Sequence, residues 1–431
     1  METEIFKNRR EKIGNCLDNN SVILIPGADL KYRNADSSYF FRQESDFFYL
    51  SGFCEPSSLL AIKKTNDDIT SIIFVPPKDK LKEIWDGYRA GPEGAVKDFM
   101  FDEAYENTQI DDLMPEIIHG FDKVIYSIGK KQNFDQNVIN WVSLADAKDR
   151  HSKSIQISDM KSLVGNMRLI KDQHELKLIK KACDISLNAH IYAMKNVKVG
   201  DNEQQIEAMY LHEFSKNGGR FPAYTPIVAG GENACVLHYI QNNNQLKDAD
   251  LLLVDAGCEY EMYASDITRT FPVNGKFSKE QAALYDIVLE ANLTAIDYVK
   301  TGKNIMDPQI ISEKIITNGL VKLGILEGDV DELHEKGAYK DFYMHKIGHW
   351  LGLDVHDSGD YMENEKYMNF KPGMVTTIEP GIYINSSMNV ADKWKGIGIR
   401  IEDNILVTEE GNINLTRDVP SDPGQIESLM S

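Results

Sequence analysis

Asp255 closes the apolar run Leu251–Val254, and Asp266 follows eleven residues later in LLLVDAGCEYEMYASDITRTF. If this stretch is a hairpin turning near Tyr260–Glu261, the two carboxylates face each other across it. Like charges opposed on a sheet are destabilising. At 4 Å and an effective dielectric near 20 the repulsion is roughly 4 kcal/mol. A shared proton or a metal ion would offset it; the plain alternative is two surface aspartates on a wet hairpin. Glu379 ends a period-two stretch (Val375, Thr377) just before Pro380-Gly381. Glu402 lies in GIGIRIEDN, where Gly398, Arg400 and Glu402 share one strand face and Ile397, Ile399 and Ile401 the other. A simple Arg400–Glu402 pairing is the bland reading there. His345, His349 and His356 crowd twelve positions, although the chain has only 10 histidines. The HxxxH spacing of His345 and His349 would put both on one face if the segment were helical. Lys346 stands where a zincin HExxH motif needs its glutamate, so that motif loses its general base. Each histidine, His238 in CVLHYI included, has an ordinary structural role as its alternative.

Together these groups describe one chemistry. One histidine and four carboxylates near strand and turn ends form an oxygen-rich donor set. Two divalent cations would neutralise four carboxylates, and hard oxygen donors favour manganese-like ions over a thiolate-rich zinc site. Two such ions about 3.5–4 Å apart hold a bridging water, lower its pKa and clamp a tetrahedral intermediate.

The surrounding chain must fold to position this set. At 431 residues it exceeds one compact core, and at about 150 residues per domain two or three domains are expected. Apolar residues at 42% and aromatics at 9% supply enough to bury. In residues 1–165, SVILIP, SLLAIKK, SIIFVPP and KVIYSIG read as strands between helical patterns, which predicts an α/β domain. Residues 166–431 open with a long helix beginning near Lys171, with Leu176, Ile179, Cys183 and Ser186 on one face. Asp201–Gln204 and Ser278–Gln281 read as capping boxes, and Asp307-Pro308 as a third helix start. GMVTTIEPGIY reads as a strand and turn, and GIGIRIEDNILVT as an alternating strand. Helices gathered first and then separated by hairpins predict α+β for this part.

Composition narrows the partners. With 47 basic and 67 acidic residues the net charge is −20, which opposes phosphate backbones and anionic membranes. No apolar run approaches membrane-spanning length. Five scattered cysteines form no CxxC pair, and METEIFKNRREK is charged where a signal peptide would be apolar. A cytoplasmic protein is expected.

The order Asp, Asp, His, Glu, Glu, carried by DAGCEYEMYASDITRTFPVNGKF, HKIGHWLGLDVHD, TIEPGIY and GIGIRIEDNILVT, resembles the Xaa-Pro aminopeptidases (aminopeptidase P) of the creatinase and methionine-aminopeptidase superfamily. RQESDFFYLSGFCEP is similar to that family's first domain, and the likeness covers nearly the whole chain. The resemblance implies a pita-bread catalytic domain behind a smaller α/β creatinase-type domain. It implies metal ligands at Asp255, Asp266, His349, Glu379 and Glu402, with Asp266 and Glu402 bridging two divalent ions: Mn²⁺ first, with Zn²⁺, Co²⁺ or Fe²⁺ as alternatives. By the same likeness Glu379 is the general base, His356 holds the scissile carbonyl and His238 contacts the substrate backbone past the cut. His345 lines the proline pocket, Arg400 holds Tyr383 or a ligand carboxylate, and Trp85 reaches a neighbouring subunit's site in a homodimer or homotetramer. For Trp85 the alternative is core packing. The implied reaction is hydrolysis of the first peptide bond of peptides with proline second. A prolidase, a non-catalytic scaffold and a metal-free creatine hydrolase share the fold and are the competing readings. The family usually has a small residue where this chain has Lys346.

Overall fold

The computed structural model describes residues 2–149, 151 and 153–431. The chain forms two compact units, one ending at Arg168 and one spanning Leu169–Ser431. The amino-terminal unit is built on a six-stranded sheet ordered Glu103–Glu106, Asp68–Val75, Leu59–Thr65, Ser21–Pro26, Lys123–Tyr126, Gln156–Asp159. The two pairings of Ser21–Pro26 differ in direction: antiparallel to Leu59–Thr65, parallel to Lys123–Tyr126. Val22, Ile23, Leu24 and Ile25 are all buried, so this strand is covered on both faces and reads as an unbroken apolar run. Helices Ile110–Ile118 and Gln132–Asp146 pack Met114, Ile118, Val138 and Trp141 onto one face. The two short edge strands, Glu103–Glu106 and Gln156–Asp159, carry no apolar run and were not foreseen from sequence.

The carboxyl-terminal unit is α+β, and its strands pair antiparallel throughout. Its first helix, Gln173–Asn196, starts at an Asp172 cap whose carboxylate takes the amides of His174 and Glu175. Helix Lys279–Tyr298 begins at the Ser278–Gln281 capping box and buries Leu284, Ile287, Val288 and Ala291. The helix before it is displaced by one residue from its expected start. Asn202, not Asp201, is the cap of Glu203–Lys216, paired with Gln205. Both residues fit the capping preference, and Glu203 decides between them because its side chain is drawn inward.

Three further expectations need correction. The hairpin pairs Leu251–Asp255 with Thr268–Pro272 so that Asp255 faces Thr268, not Asp266. Its turn is Glu261-Met262, both at positive φ, one position later than assumed. A one-residue move of the turn shifts the register by two, and a period of two keeps Asp255 and Asp266 on the same face. GIGIRIEDNILVT is not one strand. Ile397–Arg400 pairs with Gly381–Ile384, and Asp403–Val407 pairs with Val375–Ile378, with Ile401-Glu402 in the break. The HxxxH segment is extended instead of helical. Glu379 N donates to Ile347 O (2.7 Å), Thr377 N to His349 O (2.9 Å) and Leu351 N to Val375 O (3.0 Å). Pairing with the neighbouring strand outcompetes the helix. Gly348 permits it, because a Cβ there would sit 2.0 Å from Thr377 O. Gly257 plays the same part in the hairpin, where a Cβ would lie 1.7 Å from Ser265 O.

Candidate metal centre

Each carboxylate leaves the backbone at an interruption in a strand, which lets it turn inward without breaking a ladder. Asp255 ends Leu251–Asp255, Asp266 precedes Thr268–Pro272, Glu379 follows Val375–Ile378, and Glu402 fills the gap before Asp403–Val407. Asp255, Asp266 and Glu402 are buried. Ligand-type atoms of Asp266, His349 and Glu402 lie within 4.8 Å of one another. Glu379 Oε1 is 3.7 Å and Asp266 Oδ2 3.3 Å from His349 Nε2. Asp255 joins through Tyr224, whose hydroxyl is 2.5 Å from Asp255 Oδ1 and 2.5 Å from Asp266 Oδ1. One hydroxyl proton cannot serve both carboxylates.

The electrostatics follow from this crowding. Burial, and then the charge of Asp255, pushes Asp266 above the usual carboxylate range. Burial pushes Glu379 up to about 7, against the pull of His349 and Arg400. Glu402 is raised further by burial and by Asp266, Glu379 and Asp255 around it. Burial alone would depress His349, but its contact with Asp266 and the charges of Glu379 and Asp266 carry it up to about 9.

The tautomer of His349 tests whether cations fit. Its Nδ1 lies 3.0 Å from the Trp350 carbonyl, which can only accept, so Nδ1 carries the hydrogen. In the neutral ring Nε2 then aims a lone pair at two carboxylates. Acceptor facing acceptor needs a proton or a cation between them, and Zn²⁺- or Mn²⁺-type ions take this imidazole-plus-carboxylate set. The residues present therefore fit a divalent metal centre.

Around the centre runs a directed chain of hydrogen bonds. Arg400 Nη2 donates to Asp255 Oδ2 (2.7 Å) and Nη1 to Tyr383 Oη (3.1 Å). Tyr383 Oη lies 2.8 Å from His345 Nε2, and His345 Nδ1 lies 2.8 Å from Lys346 O. The carbonyl fixes the hydrogen on Nδ1, so Tyr383 donates to Nε2. Burial, then Arg400, pulls His345 down to about 4, which keeps that acceptor free. His356 has one face open to the cavity, its ring lies 4.2 Å from that of His349, and its pKa is lowered by partial desolvation and by His349 and His238. His238 is exposed. With His345, His349, His356, Arg400 and the four carboxylates it lines a cavity of about 720 Å³, whose apolar lining includes Met306, Trp350, Tyr361 and Phe370. Lys346 lines the same cavity. Trp85 belongs to the other unit. It ends helix Lys80–Asp86 and is 87% exposed, so it is not a core residue.

Several contributors were not read from sequence. Tyr224 carries no motif in PAYTPI. Thr268 donates to Glu402 Oε2 (2.7 Å), and Asn404 Oδ1 accepts from Asp266 N (3.0 Å). A signal for Asn404 existed, since a polar residue directly after Glu402-Asp403 on an otherwise apolar strand has to find a partner.

Comparison with known proteins adds the following. Residues 177–409 match the description "Metallopeptidase family M24", and residues 6–126 match "Aminopeptidase P, N-terminal domain". Xaa-Pro aminopeptidase of Haemophilus influenzae is 43% identical over 431 residues, covering 100% of this chain and 98% of that one. Xaa-Pro aminopeptidase of Escherichia coli is 41% identical, covering 99% and 97%. Among solved structures, Pseudomonas aeruginosa aminopeptidase PepP superposes with a TM-score of 0.96 at 43% identity, covering 99% and 98%. Zn-substituted E. coli aminopeptidase P in complex with product gives a TM-score of 0.96 at 40% identity, covering 100% and 98%.

Proposed function

The chain belongs to metallopeptidase family M24, behind an aminopeptidase P amino-terminal domain, and on that premise we propose how it works as an Xaa-Pro aminopeptidase. Its fold is the pita-bread catalytic domain preceded by the smaller creatinase-type domain. Its substrates are peptides with proline second. Asp255, Asp266, His349, Glu379 and Glu402 hold two divalent cations, Mn²⁺ before Zn²⁺, Co²⁺ or Fe²⁺. When bound, these ions supply the charge that lets a water ionise near neutral pH and that polarises the substrate carbonyl.

The protein's own groups do the rest. The free amino group of the substrate sits beside Asp255 and Asp266. Glu379 accepts a proton from the attacking water, in the usual manner of a carboxylate base. The water oxygen bonds to the carbonyl carbon, and the C–N bond to proline breaks as Glu379 returns the proton to the proline nitrogen. The products are a free amino acid and a peptide that starts with proline. His356 donates a hydrogen bond to the carbonyl oxygen as negative charge develops there. His345, held by Tyr383 and Arg400, lines the place of the proline ring, and His238 contacts the backbone beyond the cut. An X–Pro bond has no amide hydrogen, so a site that grips the amino terminus and the ring uses handles that general peptidases lack. The observation that carries this reading is His349 Nε2 at 3.3 Å from Asp266 Oδ2 and 3.7 Å from Glu379 Oε1 among four clustered carboxylates, with its Nδ1 taken up by the Trp350 carbonyl.

Further support bears on setting and assembly. Among the described residues no helix is long and apolar enough to cross a membrane, and all five cysteines are free, which favours a reducing cytoplasm. Leu81, Ile84, Trp85 and Tyr88 expose a run of large apolar groups in the amino-terminal unit, which suits a homodimer or homotetramer. The test is release of the first residue from Xaa-Pro-Yaa-Yaa with Mn²⁺ and metal analysis showing two ions per chain, with Glu379→Ala inactive yet folded. Cleavage of Xaa-Pro alone would reassign the chain as a dipeptidase, and absence of bound metal would remove the peptidase reading.

A further inference from the structure

Glu203 opens helix Glu203–Lys216 and has no exposed surface. Among the described residues no cation is bonded to it. Its charge is instead held by four neutral donors. Gly230 N (2.8 Å) and Asn233 Nδ2 (2.9 Å) donate to Oε1, and Tyr239 Oη (2.8 Å) and Asn244 N (2.9 Å) donate to Oε2. Its own amide donates to Asn244 O (2.9 Å). These donors fall at the start, the middle and the end of residues 230–244. That segment leaves strand Ile227–Gly230, makes the turn Gly231–Cys235 and carries His238 onto the cavity wall.

The middle contact matters most. Tyr239 is buried with its hydroxyl on Glu203, while its neighbour His238 is exposed to the cavity. Tyr239 N donates to Val236 O (3.2 Å) and closes a tight turn in which Leu237 and His238 are the central residues, so holding Tyr239 inward holds the turn that presents His238 to the cavity. Burial, then the bond to Glu203, pushes the Tyr239 hydroxyl up to about 12, so it stays a donor at neutral pH. His238 lines the same cavity as His345 and His356, which places it with the groups proposed to surround the scissile bond.

We propose that Glu203, acting through Tyr239, is the positioning residue for His238: a buried carboxylate that clasps the 230–244 loop and aims the imidazole at the peptide beyond the cut. The role of His238 rests on the peptidase reading above; the clasp itself rests on the contacts of Glu203.

Tyr239→Phe removes one donor and keeps the ring, so it is the mild probe. Glu203→Gln turns an acceptor into a donor facing two donors and is the severe one. With the full-length Mn²⁺ protein, Tyr239→Phe should lower kcat/KM on Xaa-Pro-Yaa-Yaa by about tenfold, the worth of one lost buried hydrogen bond. In a His238→Ala background the same change should cost nothing further. An independent reading comes from the His238 ring Cε1–H resonance, assigned by its loss in His238→Ala. It should shift in Tyr239→Phe with substrate absent. Unchanged kcat/KM with a lowered melting temperature, or a tenfold loss that persists in the His238→Ala background, would overturn the proposal. If the wild-type protein cleaves no Xaa-Pro bond, the peptidase reading falls, and the resonance alone then decides the clasp: a shift upholds it and an unmoved signal ends it.

Discussion

Glu203 and Glu402 are glutamates of the same unit with essentially no exposure, yet their surroundings differ in kind. Glu203 receives two neutral donors on each oxygen, which replaces the water it lost. Glu402 receives Thr268 on one oxygen and faces Asp266, Glu379 and Asp255. Arg400, bonded to Asp255, offsets only part of that negative charge. A third arrangement lies nearby, where Asp357 is buried in an ion pair with Lys171 (Nζ–Oδ2 3.0 Å). Burial of a carboxylate is therefore no sign of a metal site by itself. The sign is burial without enough donors or counter-charge, since an isolated ionised carboxylate is costly to desolvate. The first environment is complete in the protein alone; the second is left for the proposed cations to complete.

The sharpest way to break this contrast is to delete a member of the crowded set. Glu402→Ala or Asp266→Ala should reduce turnover by a thousandfold or more, on the order of 4 kcal/mol of barrier. Metal analysis should show ion loss. Metal-free Glu402→Ala should melt no lower than metal-free wild type, because a like charge has been removed; a lower melting temperature would contradict the crowding of these carboxylates.

Lys171→Met should cost about 3–5 kcal/mol in urea unfolding, because buried Asp357 loses the cation that is ion-paired with it. The loss should be the same with and without metal. Glu203→Gln should cost about 1–3 kcal/mol, again regardless of metal, while bound metal stays at the wild-type level. A drop in metal content in Glu203→Gln would erase the distinction between the two glutamates.

The pH dependence sharpens the contrast further. Glu379 has a folded pKa of about 7, above its unfolded 4.5. Its raised value favours the folded state below pH 4.5 and is lost as pH rises to about 7. His349, raised to about 9, adds a contribution that is complete below 6.5 and lost as pH rises through 9. Below 6.5 the depressed His345 and His190 act in the opposite sense, so stability of the chelator-treated protein should fall chiefly between about pH 6.5 and 9, by about 1.4 kcal/mol per pH unit for each proton lost. Added Mn²⁺ should oppose the fall, because it takes the place of those protons. Urea melts at pH 5, 7 and 8.5, with and without Mn²⁺, measure both slopes.

Much of the fold was legible because it is local. The Ser278–Gln281 box, Asp307-Pro308 and the apolar runs of the amino-terminal unit announce their elements within four to eight residues, the range over which helix caps and strand burial act. The five residues were legible as candidates as well: the four carboxylates stand at the ends of apolar strands where a carboxylate has no packing role, and His349 falls in a crowd of histidines. The errors occurred where two distant segments compete for the same hydrogen bonds. His345–His349 has helical spacing, but Val375–Ile378 offers it a ladder. GIGIRIEDNILVT has unbroken alternation, but its two halves pair with different partners.

The chain's order of residues thus determined which side chains were available for chemistry and roughly which elements carry them. Only the tertiary structure decided that Asp255 faces Thr268, that Tyr224 spans Asp255 and Asp266, and that the hydrogen on His349 sits on Nδ1. It also decided that Glu203 is saved by donors while Glu402 is not. Periodicity is set by neighbours along the chain, whereas the satisfaction of a buried charge is set by groups that often lie more than a hundred residues away and meet it only when the sheets close.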